Sequence, residues 1–154
     1  MQYELKENVL TLDEYSKLRE SAGWPVLPDY QIEAGLKNSL VTISAMHENQ
    51  TIGMGRLVGD GVIIFYIQDL IVYPEFQGKG IGAAIIEKLI AFAKEKALST
   101  TQIKIGLFAA KGKEGLYRKF GFVERPNEKR GAGMELTLDK EEYHPAACIS
   151  MVIT

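Results

Sequence analysis

The apolar positions change their period along the chain, and each change marks an element. Over residues 11–22, Leu12, Tyr15 and Leu18 recur every three positions, Thr11 stands where an N-cap belongs, and Glu14 follows at capping-box spacing. A short amphipathic helix is predicted there. Gly23-Trp24-Pro25 breaks it, and beyond Pro28 a second short helix is expected over 29–37, with Asp29 as cap and Ile32 and Leu36 on one face. Residues 40–46 and 51–58 are rich in apolar and β-branched side chains and are joined by Glu48-Asn49-Gln50, which reads as a hairpin connection. Asp60-Gly61, both tolerant of positive φ, leads into a third strand over 62–73. That strand is apolar at successive positions, as burial on both sheet faces requires, so it is placed centrally, and Pro74 ends it.

Over 80–97, Ile81, Ile85, Leu89, Phe92 and Ala93 share one side of the longest helix, with Glu87, Lys94 and Glu95 on the other. A short strand over 103–108, a short helix over 114–120 ended by Gly121, and a late strand over 134–138 with alternating Met134, Leu136 and Leu138 follow. The predicted order is α-α-β-β-β-α-β-α-β: an α/β (α+β) chain with a mostly antiparallel sheet flanked by helices. No repeat interrupts it, and the polar, glycine-rich stretch 126–133 reads as a loop and not a domain boundary.

Composition narrows the function classes. With 154 residues, 46% apolar and 25% charged, the chain is expected to fold as one domain over 1–154. A formal charge of -2 and the absence of a long basic block argue against a nucleic-acid partner. The longest apolar run, 62–73, is broken by Gln68 and Asp69 and falls short of the ~18 residues a spanning helix needs, so no membrane partner is expected. The start of the chain is not an apolar leader and Cys148 has no second cysteine to pair with, which together predict a cytoplasmic protein. His47 and His144 lack a further ligand at metal-site spacing, so no zinc site is expected. Residues 146–154 are apolar, β-prone and uncharged; such a segment should pair with a sheet edge or a second subunit, and a homodimer is expected.

The most informative segment is Gln77-Gly78-Lys79-Gly80-Ile81-Gly82, between a buried strand and the long helix. Glycines let a backbone approach a ligand closely, and the first turn of a helix offers unpaired N–H groups and partial positive charge, together a site for phosphate oxygens to which Lys79 adds a cation. The run also satisfies a loose dinucleotide fingerprint. That reading fails on context, because three antiparallel strands precede the loop and the next strand, Ile103-Lys-Ile-Gly-Leu107, ends without an acidic residue. A nucleotide P-loop is excluded because no Gly-Lys-Ser/Thr is present.

The glycine loop Gln77-x-x-Gly80-x-Gly82 and the later segment Gly115-Leu116-Tyr117-Arg118-Lys119-Phe120-Gly121-Phe122, taken together, resemble the GCN5-related N-acetyltransferase (GNAT) superfamily. Gln77-x-x-Gly80-x-Gly82, after the strand end Asp69-Leu70-Ile71-Val72-Tyr73-Pro74, is similar to the family's Q/R-x-x-G-x-G/A loop. Gly115-Leu116-Tyr117-Arg118-Lys119-Phe120-Gly121-Phe122 is similar to its helix-to-strand signature. The resemblance covers roughly residues 40–138 and implies a GNAT-like mixed sheet. It also implies acetyl-coenzyme A as co-substrate, its pyrophosphate on Gln77, Gly78, Lys79, Gly80, Ile81 and Gly82, and its pantetheine arm along Leu70, Ile71 and Val72. Tyr117 is placed near the sulfur as general acid, and a backbone N–H near Leu70 or Ile71 serves the oxyanion.

Asp69 interrupts an apolar strand, where a carboxylate needs partners, water or a ligand; it is a candidate base, equally readable as a bulge or turn residue, with Glu75 and Tyr66 as weaker alternatives. Trp24 is read either as an acceptor-site wall or as a core tryptophan. The expected reaction is acetyl transfer from the thioester to a small-molecule primary amine. The stretch Ile105-Gly-Leu-Phe108-Ala109 resembles the arylalkylamine branch, and a polyamine is the other acceptor class. The competing reading is a non-catalytic coenzyme A-binding module or sensor.

Overall fold

A computed structural model of the chain describes residues 1–138. The elements are β1 (Glu4–Glu7), α1 (Leu12–Ser21), α2 (Asp29–Lys37), β2 (Val41–His47), β3 (Gln50–Gly59), β4 (Ile64–Val72), a 3-10 turn (Pro74–Phe76), α3 (Ile81–Lys96), β5 (Lys104–Gly106) and α4 (Glu114–Arg118). The strands form one sheet in the order β1-β2-β3-β4-β5, antiparallel except for the parallel β4–β5 pair. The described residues divide into two compact units, Met1–Phe122 and a second that begins at Val123.

The first unit has an apolar layer on each side of its sheet. On one side Ile81, Ile85, Ile86, Leu89 and Ala93 of α3 pack with Val41, Ile43, Ile52, Leu57 and Phe65. On the other, Tyr15, Leu18 and Ile32 of α1 and α2 pack with Met54 and Ile71. Gly55 permits the close approach of α3: a Cβ there would lie 2.7 Å from Ile85 Cγ2, a distance at which something must shift.

Four expectations need correction. Strand β1 was not anticipated; three of its four residues are charged, as suits a short edge strand, and it pairs with β2 through registers such as Leu5↔Ala45. β4 begins at Ile64 and not Val62, because Asp60 Oδ1 accepts from the N–H groups of Val62, Ile63 and Ile64 and holds them in a turn. The near-continuous burial expected of that strand belongs to β2 and β3, while β4 alternates buried and half-buried positions. Met134–Leu138 is not a strand: among the described residues it joins no ladder, and Met134 and Leu136 are exposed. In addition, Pro28 takes the N-cap position of α2 and Asp29 is its first helical residue. In the second unit the 126–133 loop closes on itself through Asn127 N–H to Arg130 O and Arg125 Nε to Gly131 O. The apolar tail 146–154, His144 and Cys148 lie outside the described residues.

Candidate functional site

The site is built where β4 parts from β5. These parallel strands pair through Ile64↔Lys104, Phe65↔Ile105 and Tyr66↔Gly106, so among the described residues the β5-facing edge of β4 has no strand partner beyond Tyr66. A bulge adds to the divergence. Met54 pairs with Ile71 and Arg56 with Gln68, leaving Gly55 opposite both Asp69 and Leu70. Asp69 takes φ 56° there, in the left-handed region that Asp tolerates better than most residues.

From Val72 the chain passes through the Pro74–Phe76 turn into the glycine loop, which two side chains brace. Gln77 Nε2 donates to Val72 O at 2.9 Å, and Lys79 Nζ donates to Glu75 O at 2.9 Å while standing 5.2 Å from the Phe76 ring centroid. Gly80 is the N-cap of α3 at φ 80° and no side chain caps the helix. The first intrahelical bond from this end is Ala84 N–H to Gly80 O, which leaves the amides of Ile81, Gly82 and Ala83 without an intrahelical partner. A Cβ added at Gly78 or Gly80 would meet nothing within 4 Å. Bare amides at the positive end of a helix, beside open space and Lys79, are the donor set a diphosphate requires. The residues present therefore fit the pyrophosphate of a coenzyme A thioester.

Tyr117 lies on α4 beside this helix end. The position a Gly82 Cβ would take is 3.8 Å from Leu116 Cδ2, and Tyr117 packs against the α3 side of the core. Its ring meets Phe122 edge-on at 5.9 Å. Burial, with a smaller contribution from Tyr66, raises its phenol above the ordinary value of 10.0, so at neutral pH it keeps its proton and can donate it. Tyr66 itself meets Phe108 edge-on at 5.7 Å.

Asp69 has a fully buried side chain. Oδ1 accepts from Arg19 Nη1 at 3.1 Å and Gln68 Nε2 at 3.1 Å; Oδ2 accepts from Tyr15 OH at 2.6 Å and Arg56 Nε at 2.7 Å. Arg19 also donates to Pro25 O at 3.3 Å and lies over Trp24 at 5.2 Å; Arg56 reaches Gly35 O and Ser39 Oγ. Tyr15, Arg19 and Arg56 were not singled out from the sequence, although Arg56 interrupts the apolar run of β3 much as Asp69 interrupts β4. Trp24 is half-buried against the α1–α2 core. Beside it, Ser16, Arg19, Pro25, Leu27 and Ile32 help to line a cleft of about 110 Å3. His47 is engaged with Gln2 O at 2.7 Å, and Glu75 is exposed beside the loop.

Comparison with known proteins agrees with this architecture. The acetyltransferase (GNAT) domain model matches residues 24–138. The uncharacterized N-acetyltransferase ycf52 of Porphyra purpurea is 31% identical over 126 residues, covering 79% of this chain and 70% of that protein. The chloroplastic GCN5-related N-acetyltransferase 1 of Arabidopsis thaliana is 30% identical over 124 residues, 79% of this chain and 61% of that one. Among solved structures, a Staphylococcus aureus protein of unknown function, described as a probable acetyltransferase, superposes with a TM-score of 0.78 at 31% identity, covering 89% of this chain and 100% of the other. With its splayed β4–β5 pair, uncapped glycine loop and tyrosine helix, the chain belongs to the GNAT family of acetyltransferases.

Proposed function

We propose that this protein moves the acetyl group of acetyl-coenzyme A to the nitrogen of a small primary amine, an arylalkylamine or a polyamine. The observation that carries the reading is the uncapped start of α3, where open amides and two glycines of positive φ face free space. When bound there, the co-substrate supplies a thioester carbonyl. Gln77, Gly78, Lys79, Gly80, Ile81 and Gly82 hold its diphosphate, and the pantetheine amides run along Leu70, Ile71 and Val72, meeting the backbone groups of that stretch that point away from β3. A backbone N–H at Leu70 or Ile71 donates to the carbonyl oxygen as negative charge develops on it.

The neutral amine attacks the carbonyl carbon; a C–N bond forms, the C–S bond breaks, and the surplus amine proton leaves to water. Tyr117 gives its phenolic proton to the departing sulfur and recovers one from solvent. Apolar surface on the α1–α2 connection, including Leu27 and half-buried Trp24, supports an acceptor with a hydrocarbon body.

The test pairs calorimetry with coenzyme A and a thiol-release assay using acetyl-coenzyme A with 2-phenylethylamine or spermidine. Binding with turnover is expected, and Tyr117→Phe should retain binding while losing on the order of a hundredfold in kcat. Binding without turnover across a wider amine panel would replace this reading with that of a coenzyme A-binding module or sensor. No heat with coenzyme A would end both.

A further inference from the structure

The Asp69 carboxylate offers about four lone-pair sites, and four donors occupy them: Tyr15, Arg19, Arg56 and Gln68. Two of these donors are guanidinium groups, and the carboxylate has no contact with solvent. A general base needs a vacant lone pair within hydrogen-bond reach of the proton it removes. Asp69 has none to offer.

What the carboxylate does have is reach across the fold. Tyr15 and Arg19 come from α1, Arg56 from β3, and Gln68 from its own strand. Through Arg19 the network extends to Pro25 O and the face of Trp24, on the connection that walls the cleft. Through Arg56 it extends to Gly35 O and Ser39 Oγ at the end of α2. Its own backbone is the positive-φ residue of the β4 bulge, and Leu70 and Ile71 follow directly. A left-handed backbone inside a strand persists only where its surroundings over-determine it, and at this position four hydrogen bonds fix the side chain.

We propose that Asp69 is a positioning residue and not the proton acceptor: it ties the α1–α2 connection to the β4 bulge, fixing the separation and angle between the acceptor surface on that connection and the amides at Leu70 and Ile71. This rests on the acetyl-transfer reading for its kinetic consequence, but its structural content does not. Misplacing two reactants by about an ångström costs roughly a hundredfold in rate, so an anchor far from the reacting atoms can still set activity.

The experiment uses the full chain and two variants, Tyr15→Phe, which removes one donor and keeps the buried ring, and Asp69→Asn. Amide hydrogen exchange is read first, without any ligand. Faster exchange in Tyr15→Phe at Trp24, whose N–H donates to Arg19 O, and at Ile71, which pairs with Met54 of β3, with α3 unchanged, is the expected result; no change there, or a uniform increase that includes α3, overturns the proposal. Thiol release follows. Tyr15→Phe should lower kcat/KM for the amine roughly tenfold to a hundredfold while KM for acetyl-coenzyme A stays put. In both variants the acid limb of the pH profile should survive, since the amine's own ionisation sets it. Loss of that limb in Asp69→Asn identifies Asp69 as the base and overturns the proposal; if this variant does not fold, the exchange pattern and kinetics of Tyr15→Phe decide. Failure of the parent to bind coenzyme A by calorimetry is a separate outcome that removes the acetyl-transfer reading and leaves the exchange result to judge the anchor.

Discussion

Tyr117 and Tyr15 carry the same phenol into two surroundings that both disfavour its ionised form. For Tyr117 the cause is burial and then Tyr66; for Tyr15 it is burial, then its hydrogen bond to Asp69 and that carboxylate's charge. A general acid is lost only on deprotonation, so the alkaline limb of kcat assigned to Tyr117 should lie above about pH 10; a pH–rate profile with a Tyr117-dependent limb well below that would contradict the assignment. Stability follows the same sign. Below the unfolded phenol pKa of about 10 the contribution is fully present; above it the unfolded chain releases protons that the folded one retains, and stability falls as pH rises through the raised folded values. The urea midpoint should hold steady below about pH 10 and then decline, less steeply in Tyr15→Phe. Asp69 was visible in the sequence because a carboxylate interrupts an apolar strand. Its partners were not: Tyr15 and Arg19 lie 54 and 50 positions away, and nothing in the local pattern marks them as neighbours.

Helix α1 shows how local chemistry makes an element legible. The capping box read from Thr11 and Glu14 is present on both sides, with Thr11 N–H to Glu14 Oε2 at 2.8 Å and Glu14 N–H to Thr11 Oγ1 at 3.3 Å. Glu14 has a second role that the spacing does not show, accepting from Thr51 Oγ1 of β3 at 2.7 Å. Burial pushes its carboxyl up, but hydrogen bonds from Thr51 and Thr11 outweigh this and leave it below the ordinary value. Its stabilisation is therefore present above about pH 4.3 and lost as pH falls through the lowered folded value. Thr11→Ala should cost about 1 kcal/mol, read as a lower urea midpoint at unchanged slope. The glycine loop makes a sharper demand. Gly80→Ala places a side chain at φ 80°, a cost of about 1–2 kcal/mol, and narrows the approach to the α3 amides; coenzyme A affinity by calorimetry should drop at least about tenfold, more than so modest a destabilisation would explain. The misread elements have local causes too. β1 is too short and charged to carry a period, and alternation over 134–138 promised a strand but could not supply a neighbour to pair with.

At the level of the molecule, the homodimer expected from the uncharged tail 146–154 remains our proposal. Light scattering should give twice the 17.1 kDa chain mass, and deleting 146–154 should return a monomer; a monomeric parent would remove the basis for it. The order of elements from α1 to α4, the α1 cap, the hairpins, the buried face of α3 and the loop that opens it were legible along the chain, because capping, turn chemistry and amphipathic period act between residues a few positions apart. The resemblance carried by the loop and the tyrosine helix added the family. Three-dimensional packing settled the rest: where β4 leaves β5, which glycine admits α3 to the sheet, and which four donors close around Asp69. Those depend on side chains brought together from distant parts of the chain, and the energetics of burying a charge are set by the groups that surround it in space rather than by its neighbours in sequence.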